Sequence, residues 1–311
     1  LRGERRVLHL HWTAPLLNPC ASASEAKRKL KNLLGGIDAF RADGGHIVWT
    51  VHNLMPHESR YPELEVQLRE GIAARADVVH IMCPETVELT ASAYRIPPES
   101  VRVIEHGSYS GVYPNATDPQ LARRRFGFHP DEIVLIAFGQ VRPYKGLEDL
   151  LDVFSAAHLA EPRLRLLIAG EVGKFPGAQE LAAKLSDTPG VVFEDAVIAD
   201  VDIQIYYGAS DIAVLPYRSG LNSGALQLAF SFGRPAIAPM IGCLSHGVPD
   251  GIARFYPAGV DGLRDALSDL DPLLTPEVRL NARAYADAYT HLDMAADYAD
   301  LLRSLVADVT S

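Results

Sequence analysis

Long apolar runs are missing from this 311-residue chain. No stretch of about 18 apolar residues occurs, so nothing in it reads as a bilayer-spanning helix. Cysteine is scarce. Cys20, Cys83 and Cys243 lie far apart, with no CxxC and no Cys/His cluster at metal-ligand spacing. Positive charge is also in deficit, with 29 Lys and Arg against 39 Asp and Glu, a net charge of −10. A nucleic-acid binder needs a basic domain or stripe, so that class is excluded as the main function. Internal repeats and low-complexity segments are absent as well.

What remains is ordinary for a globular enzyme: 48% hydrophobic and 22% charged residues. At roughly 150 residues per domain, the length predicts two domains. Short apolar runs alternate with amphipathic stretches. Strands are expected at Val7–Leu10, Ile47–Val51, Val78–Met82, Val101–Ile104, Ile133–Phe138, Leu164–Ala169, Val191–Phe193, Ile212–Leu215 and Ala236–Ala238. The runs are nearly all apolar rather than alternating, as in strands buried on both faces of a parallel sheet. Helices are expected at about 24–42, 62–75, 84–94, 145–160, 177–186, 203–208, 222–232 and 260–269, with a helical tail at 276–309. This is a βαβ alternation in two blocks. The fold class is α/β, with two doubly wound Rossmann-like domains. The break falls in "YPNATDPQLARRRFGFHPDE", where prolines and polar residues cluster and a linker is expected at about 114–119. The opening "LRGERRVLHLHW" enters a strand almost at once, which predicts a preceding segment that the sequence does not include.

In doubly wound sheets, ligands bind beyond the carboxyl ends of the strands. "FGQVRPYKGLEDLL" places Gly139 there, followed by Arg142 and Lys145, with Gly146 opening a helix. Helix N-terminal N–H groups favour an anion, Arg adds a planar fork and Lys a point charge. The functional reading is a diphosphate cradle; a solvated cationic turn is the alternative. Downstream, "LPYRSGLNSGAL" puts Ser219, Gly220, Asn222, Ser223 and Gly224 between a strand and a helix, where small residues allow close backbone approach. In the first block, His52 follows a strand directly, His9 and His11 end the first one, and Glu105, His106 and Gly107 follow another. No HExxH or equivalent pattern turns these histidines into a metal site, and no metal is expected. Lys27, Arg28, Lys29 and Lys31 make the first half of one helix basic. That face is either solvated or meets an anionic membrane surface or diphosphate acceptor.

"FGQVRPYKGLEDLLDVF", "LLIAGE", "YYGASDIAVLPYRSG" and "FGRPAIAP", in that order, resemble the nucleotide-binding half of GT-B glycosyltransferases, most closely the large retaining family 4. "TVHNLMPHE" and "ADVVHIMCPETVELTASAYRIPPESVRVIEHGSY" look like its acceptor-side domain. The resemblance implies two Rossmann-like domains facing across a cleft: residues 1–116 on the acceptor side, 117–285 for the nucleotide sugar, and 286–311 as a helix crossing back. It implies a hexosyltransferase using a UDP- or GDP-sugar, needing no further cofactor, and acting on a glycan or lipid-linked saccharide. The scarce, widely spaced cysteines and the lack of a signal peptide or span predict a cytoplasmic location, peripheral at the inner membrane face where the basic helix makes contact. Arg142 and Lys145 match the donor-diphosphate positions, and His52 matches the first-domain histidine near the transferred sugar. Two glutamates usual in the family are replaced by Gly220 and Leu228, so the ribose grip and the retaining stereochemistry lose their support. Glu58, His57 and His52 are then the candidates for a general base. The alternatives are a non-catalytic sugar-nucleotide binder, or an epimerase or phosphorylase on the same scaffold.

Overall fold

The computed structural model describes residues 6–56 and 59–307. The chain divides into two compact units, Leu1–His106 with Leu292–Ser311, and Gly107–His291. The proline-rich stretch at 114–119 lies inside the second.

The first unit runs β1 (Arg6–Leu10), α1 (Ala14–Leu17), α2 (Ala23–Ala42), β2 (Gly45–Thr50), α3 (Pro62–Ala73), β3 (Val78–Ile81), α4 (Thr86–Thr90) and β4 (Val101–Val103). The strands form one sheet in chain order, β1-β2-β3-β4, every pair parallel. Ile47, Val48, Trp49 and Thr50 are all buried, as expected of a strand covered on both faces. α2 begins where Ser22 accepts from the Glu25 amide at 3.3 Å while Glu25 accepts from the Ala21 amide at 2.8 Å, a reciprocal N-terminal cap. It buries Ala26, Leu30 and Ile37 and leaves Lys27, Arg28, Lys29 and Lys31 exposed.

The second unit runs α5 (Pro119–Arg125), β5 (Ile133–Phe138), α6 (Leu147–Ala160), β6 (Leu164–Ala169), α7 (Ala178–Asp187), β7 (Val191–Glu194), α8 (Ile203–Ala209), β8 (Ile212–Val214), α9 (Gly224–Ser231), β9 (Ala236–Pro239), β10 (Ala253–Tyr256), α10 (Val260–Leu267) and α11 (Pro276–Ala288). Its sheet has the order β10-β9-β8-β5-β6-β7, all parallel. The chain winds outward from β5 to β7, then returns to β8 and winds the other way. The switch point is therefore between β5 and β8, where a crevice opens at the carboxyl edge. α12 (His291–Ala307) follows, and from Leu292 it packs with the first unit.

Several elements differ from the sequence expectation: α1 (Ala14–Leu17) is not among the expected helices, and the helix expected at about 84–94 is only Thr86–Thr90. β10 (ARFY) lies at the sheet edge and carries a charge, with Ala253, Arg254 and Phe255 part-buried and only Tyr256 buried, so it lacks the apolar run that marks the other strands. α5 lies in the polar break, started by Asp118, which accepts from the Gln120 amide at 2.7 Å, with Pro119 in the first turn. The C-terminal tail is two helices. They are interrupted where Ser108 donates its amide to Tyr289 O at 2.9 Å and accepts from the His291 amide at 3.0 Å.

Asp211 ties the second unit together from the start of β8. Its carboxylate, 5% exposed, accepts from Arg123 of α5 at 2.6 and 2.7 Å, from Arg279 of α11 at 2.5 Å, and from the Val134 amide of β5 at 2.8 Å. Removing one partner of such a set leaves buried charge without compensation. Asp211→Ala is expected to lower unfolding stability by about 3–5 kcal/mol in urea denaturation; a loss under about 1 kcal/mol would mean that the two arginines find other partners.

Candidate functional site

The turn after β5 is built on close main-chain contact. Gly139 sits at φ +96° and Gly146 at φ +65°, the left-handed region that glycine enters without penalty. A Cβ on Gly146 would lie 2.0 Å from the Pro216 carbonyl oxygen, so the turn after β5 abuts the loop after β8. The Arg218 amide donates to Tyr144 O at 2.7 Å, and the Arg218 guanidinium holds Asp149 at 2.7 and 2.8 Å. The two loops flanking the switch point are thus one piece.

Lys145 folds back into this corner. Its Nζ donates to Phe138 O at 3.2 Å, lies 2.9 Å from where a Gly139 Cβ would stand, and sits 5.9 Å from the Tyr217 ring centroid. Together with Gly139, Tyr217 and Ala225 it lines a small cavity at the carboxyl ends of β5 and β8. Burial pushes its pKa down to about 8. Arg142 stands at the head of the same turn, its Nε donating to Gln140 Oε1 at 3.1 Å. Its guanidinium passes Gly173, where a Cβ would come within 2.9 Å.

The downstream loop divides its labour. Ser223 caps α9, accepting from the Leu226 amide at 3.2 Å, and Gly224 is the first residue of that helix. Asn222, just before α9, has its Nδ2 buried with no hydrogen-bond partner among the described residues. Ser219 is exposed and Gly220 half-buried. Leu228, 8% exposed, belongs to the hydrophobic core, so its position offers nothing to a ribose. Tyr217 and Arg218, which join the loops, went unnoticed in the sequence; two polar residues directly after the "LP" that ends a strand were the available signal.

In the first unit, His52 follows β2 and is held by its neighbour. Asn53 accepts twice from Arg69, through its carbonyl at 2.8 Å and its side chain at 2.7 Å. Arg69 is itself buried and paired with Glu65 at 3.0 Å. His52 Nε2 lies 2.9 Å from His11 Nδ1, and the Trp12 ring stacks on His52 at 4.3 Å. Beneath them, Thr50 Oγ1 contacts His9 Nε2 at 2.8 Å, His80 Nδ1 at 3.1 Å and the Tyr298 hydroxyl at 3.0 Å. Tyr298 also contacts His80 Nδ1. His80 Nε2 is 2.8 Å from the Ile104 carbonyl, which only accepts, so Nε2 carries the proton and Nδ1 receives one. Thr50 and Tyr298 bring two hydroxyl protons to His80 Nδ1, His9 Nε2 and their own contact, so the direction of the Thr50–His9 bond follows the tautomer of His9.

Burial, reinforced by neighbouring histidines, pushes His9 and His52 down to about 4; burial also takes His80 to about 4 and lowers His11. The cluster is therefore neutral imidazole at pH 7. His80 and Trp12 were missed in the sequence. A histidine inside the buried run "VVHI" was the signal for the first, since a polar side chain there needs partners. His57 and Glu58 lie outside the described residues.

Lys145 costs the folded state stability in exchange for a charge at the crevice. Its folded pKa lies below the ordinary 10.5. The cost is thus fully present below about pH 8 and fades as pH rises toward the unfolded value. Lys145→Met is expected to raise the thermal midpoint at pH 7, by a margin that shrinks at pH 9.5; a midpoint lowered at both values would show that the ammonium is satisfied where it lies.

Residues 132–270 match the family model described as Glycosyl transferases group 1. The GDP-mannose:glycolipid 4-beta-D-mannosyltransferase of Xanthomonas campestris pv. campestris is 31% identical over 241 residues, covering 75% of this chain and 61% of that one. The D-inositol 3-phosphate glycosyltransferase of Stackebrandtia nassauensis is 27% identical over 249 residues, covering 77% and 55%. The chain thus spans less than two thirds of the length of these relatives. Among solved structures, Anabaena HepE in complex with UDP superposes with a TM-score of 0.72 at 20% identity, covering 88% of this chain and 77% of that one. WaaG, a glycosyltransferase involved in lipopolysaccharide biosynthesis, gives 0.64 at 17% identity, covering 91% and 84%. Over residues 132–270 the chain is similar to the glycosyl transferases group 1 family, and it has the parallel-sheet α/β fold of the GT-B glycosyltransferases.

Proposed function

We propose that this chain transfers a hexose from a nucleotide-diphospho-sugar to a glycolipid or other lipid-linked saccharide. GDP-mannose is the first donor to try, because it is the donor named for the Xanthomonas relative. UDP-sugars come next, UDP being the ligand named for HepE. One observation carries the reading. A desolvated ammonium, Lys145, sits at the switch point of a doubly wound sheet, with one of its N–H groups donated to the Phe138 carbonyl and, among the described residues, no carboxylate paired with it. Breaking a glycosyl–phosphate bond builds negative charge on the departing diphosphate, and fixed cations and helix N-termini stabilise that charge. Arg142 adds a second cation on the same turn, and the amides of α9 with Asn222 Nδ2 add neutral donors. His52 is the residue we assign to the first unit's share of the chemistry.

A second reading is favoured by Leu228. Leucine there, like glycine at Gly220, removes a carboxylate usual in the family, which suits a sugar-nucleotide-binding or partner protein rather than a transferase. Product analysis with labelled GDP-mannose and a glycolipid acceptor separates the two. For either, Arg142→Ala and Lys145→Ala should each weaken GDP or UDP binding by roughly 1.5–3 kcal/mol in calorimetry. Unchanged affinity in both variants would remove the diphosphate grip from this turn.

The exposed cations of α2 provide the membrane contact in this reading, since a polybasic face is drawn to anionic lipid by roughly 1 kcal/mol per residue. No helix of the described residues is long and apolar enough to cross a membrane. Cosedimentation with phosphatidylglycerol vesicles at low salt is expected for the native chain and should be lost with Lys27→Glu, Arg28→Glu, Lys29→Glu and Lys31→Glu combined. Retention by the quadruple variant would place the contact elsewhere.

A further inference from the structure

The His11–His52 contact has a consequence beyond holding one imidazole in place. Two ring nitrogens at 2.9 Å share one proton: one ring donates and the other accepts. Each ring then has an outer nitrogen, Nδ1 of His52 and Nε2 of His11. When the shared proton is on His52 Nε2, His52 Nδ1 is an open lone pair. A proton arriving there drives the shared proton across to His11 Nδ1, and His11, which is exposed, releases one from Nε2 to water.

The surroundings favour passage over storage. The titratable groups acting on His52 are His9 and His11 from β1 and its continuation, His80 from β3 and His106 beyond β4. Tyr298 of α12 closes the cluster from below. These neighbours are imidazoles and a phenol rather than carboxylates, so an imidazolium formed at His52 gains no counter-ion from them. A second feature points to the ligand. Trp12 is 58% exposed and lies flat on His52, with an interplanar angle of 16°. An exposed indole beside a proton-accepting ring is a surface that the apolar face of a saccharide can cover.

We propose that His11 and His52 work as one unit that removes the proton of the acceptor saccharide's hydroxyl, with Trp12 as the platform for the acceptor ring. The inference rests on the glycosyl-transfer reading above. In the step, the acceptor oxygen forms a bond to the anomeric carbon of the donor. The bond from that carbon to the diphosphate oxygen breaks, and its electron pair stays on the diphosphate. The hydroxyl proton goes to His52 Nδ1, and one proton leaves His11 Nε2. His52 touches the reacting hydroxyl, whereas His11 is a positioning and relay residue.

The test uses the full chain labelled with 15N-histidine, read by long-range proton–nitrogen correlation across pH, together with steady-state kinetics. The nitrogens of His11 and His52 are expected to shift together in a first step, with the second proton entering only at much lower pH, because two imidazoliums cannot face each other at this distance. In His11→Phe, His52 should titrate alone, kcat should fall by roughly 10²-fold, and the donor KM should stay within about twofold of wild type. His11→Gln keeps a hydrogen-bond partner but passes no proton, so it should not restore kcat. Trp12→Ala should raise the acceptor KM about tenfold, with Trp12→Phe recovering it. Independent titration of the two rings, or full kcat in His11→Phe, would overturn the relay. Coupled titration in a chain that transfers no sugar would overturn the role in transfer while leaving the shared proton in place. The two failures are therefore told apart.

Discussion

Main-chain crowding at the carboxyl edge of the second sheet is the constraint from which the site follows. A Cβ on Gly146 would meet the Pro216 carbonyl at 2.0 Å, and one on Gly170 would meet the Gly139 carbonyl at 2.4 Å. Backbones this close leave no room for side chains between them. The loops after β5, β6 and β8 are consequently pressed into one rim, and Arg218 and Tyr144 lock two of them together. Lys145 folds back along its own strand end, where its Nζ meets the Phe138 carbonyl. That position strips its ammonium of water and brings its pKa within reach of neutral. An anion entering such a corner meets a charge with little competing solvent.

Buried polar groups organise both units, but to different ends. Asp211 is saturated by two arginines and an amide, so it fixes the positions of α5, α11 and β5. The histidines of the first unit are held by neutral hydroxyls and by one another. A network of that kind stays uncharged at pH 7 and can move protons without moving heavy atoms. The first arrangement suits a scaffold; the second suits chemistry.

Much of the architecture was legible because buried parallel strands announce themselves as apolar runs. Ile133–Phe138 and Leu164–Ala169 coincide with β5 and β6 to the residue. β10 escaped because an edge strand does not need an unbroken apolar run, and α5 because a short helix capped by Asp118-Pro119 looks like a turn. The turn holding Gly139, Arg142 and Lys145 was found from its place between a strand and a helix. The bracing role of Tyr217 and Arg218 was not, since nothing local distinguishes a brace from an exposed loop residue.

The sequence by itself determined the α/β alternation, the resemblance to GT-B glycosyltransferases, the diphosphate-like turn and the loss of the family's second glutamate at Leu228. It determined these because strand periodicity, turn chemistry and side-chain type are local properties. Only the tertiary structure decided the state of the groups. Lys145 is desolvated because a loop some seventy residues later closes over it. His52 shares a proton with His11, 41 residues away, because parallel pairing of β1 with β2 brings their ends together. Proton affinity depends on burial and on neighbouring charges, and both are supplied by parts of the chain that are distant in sequence.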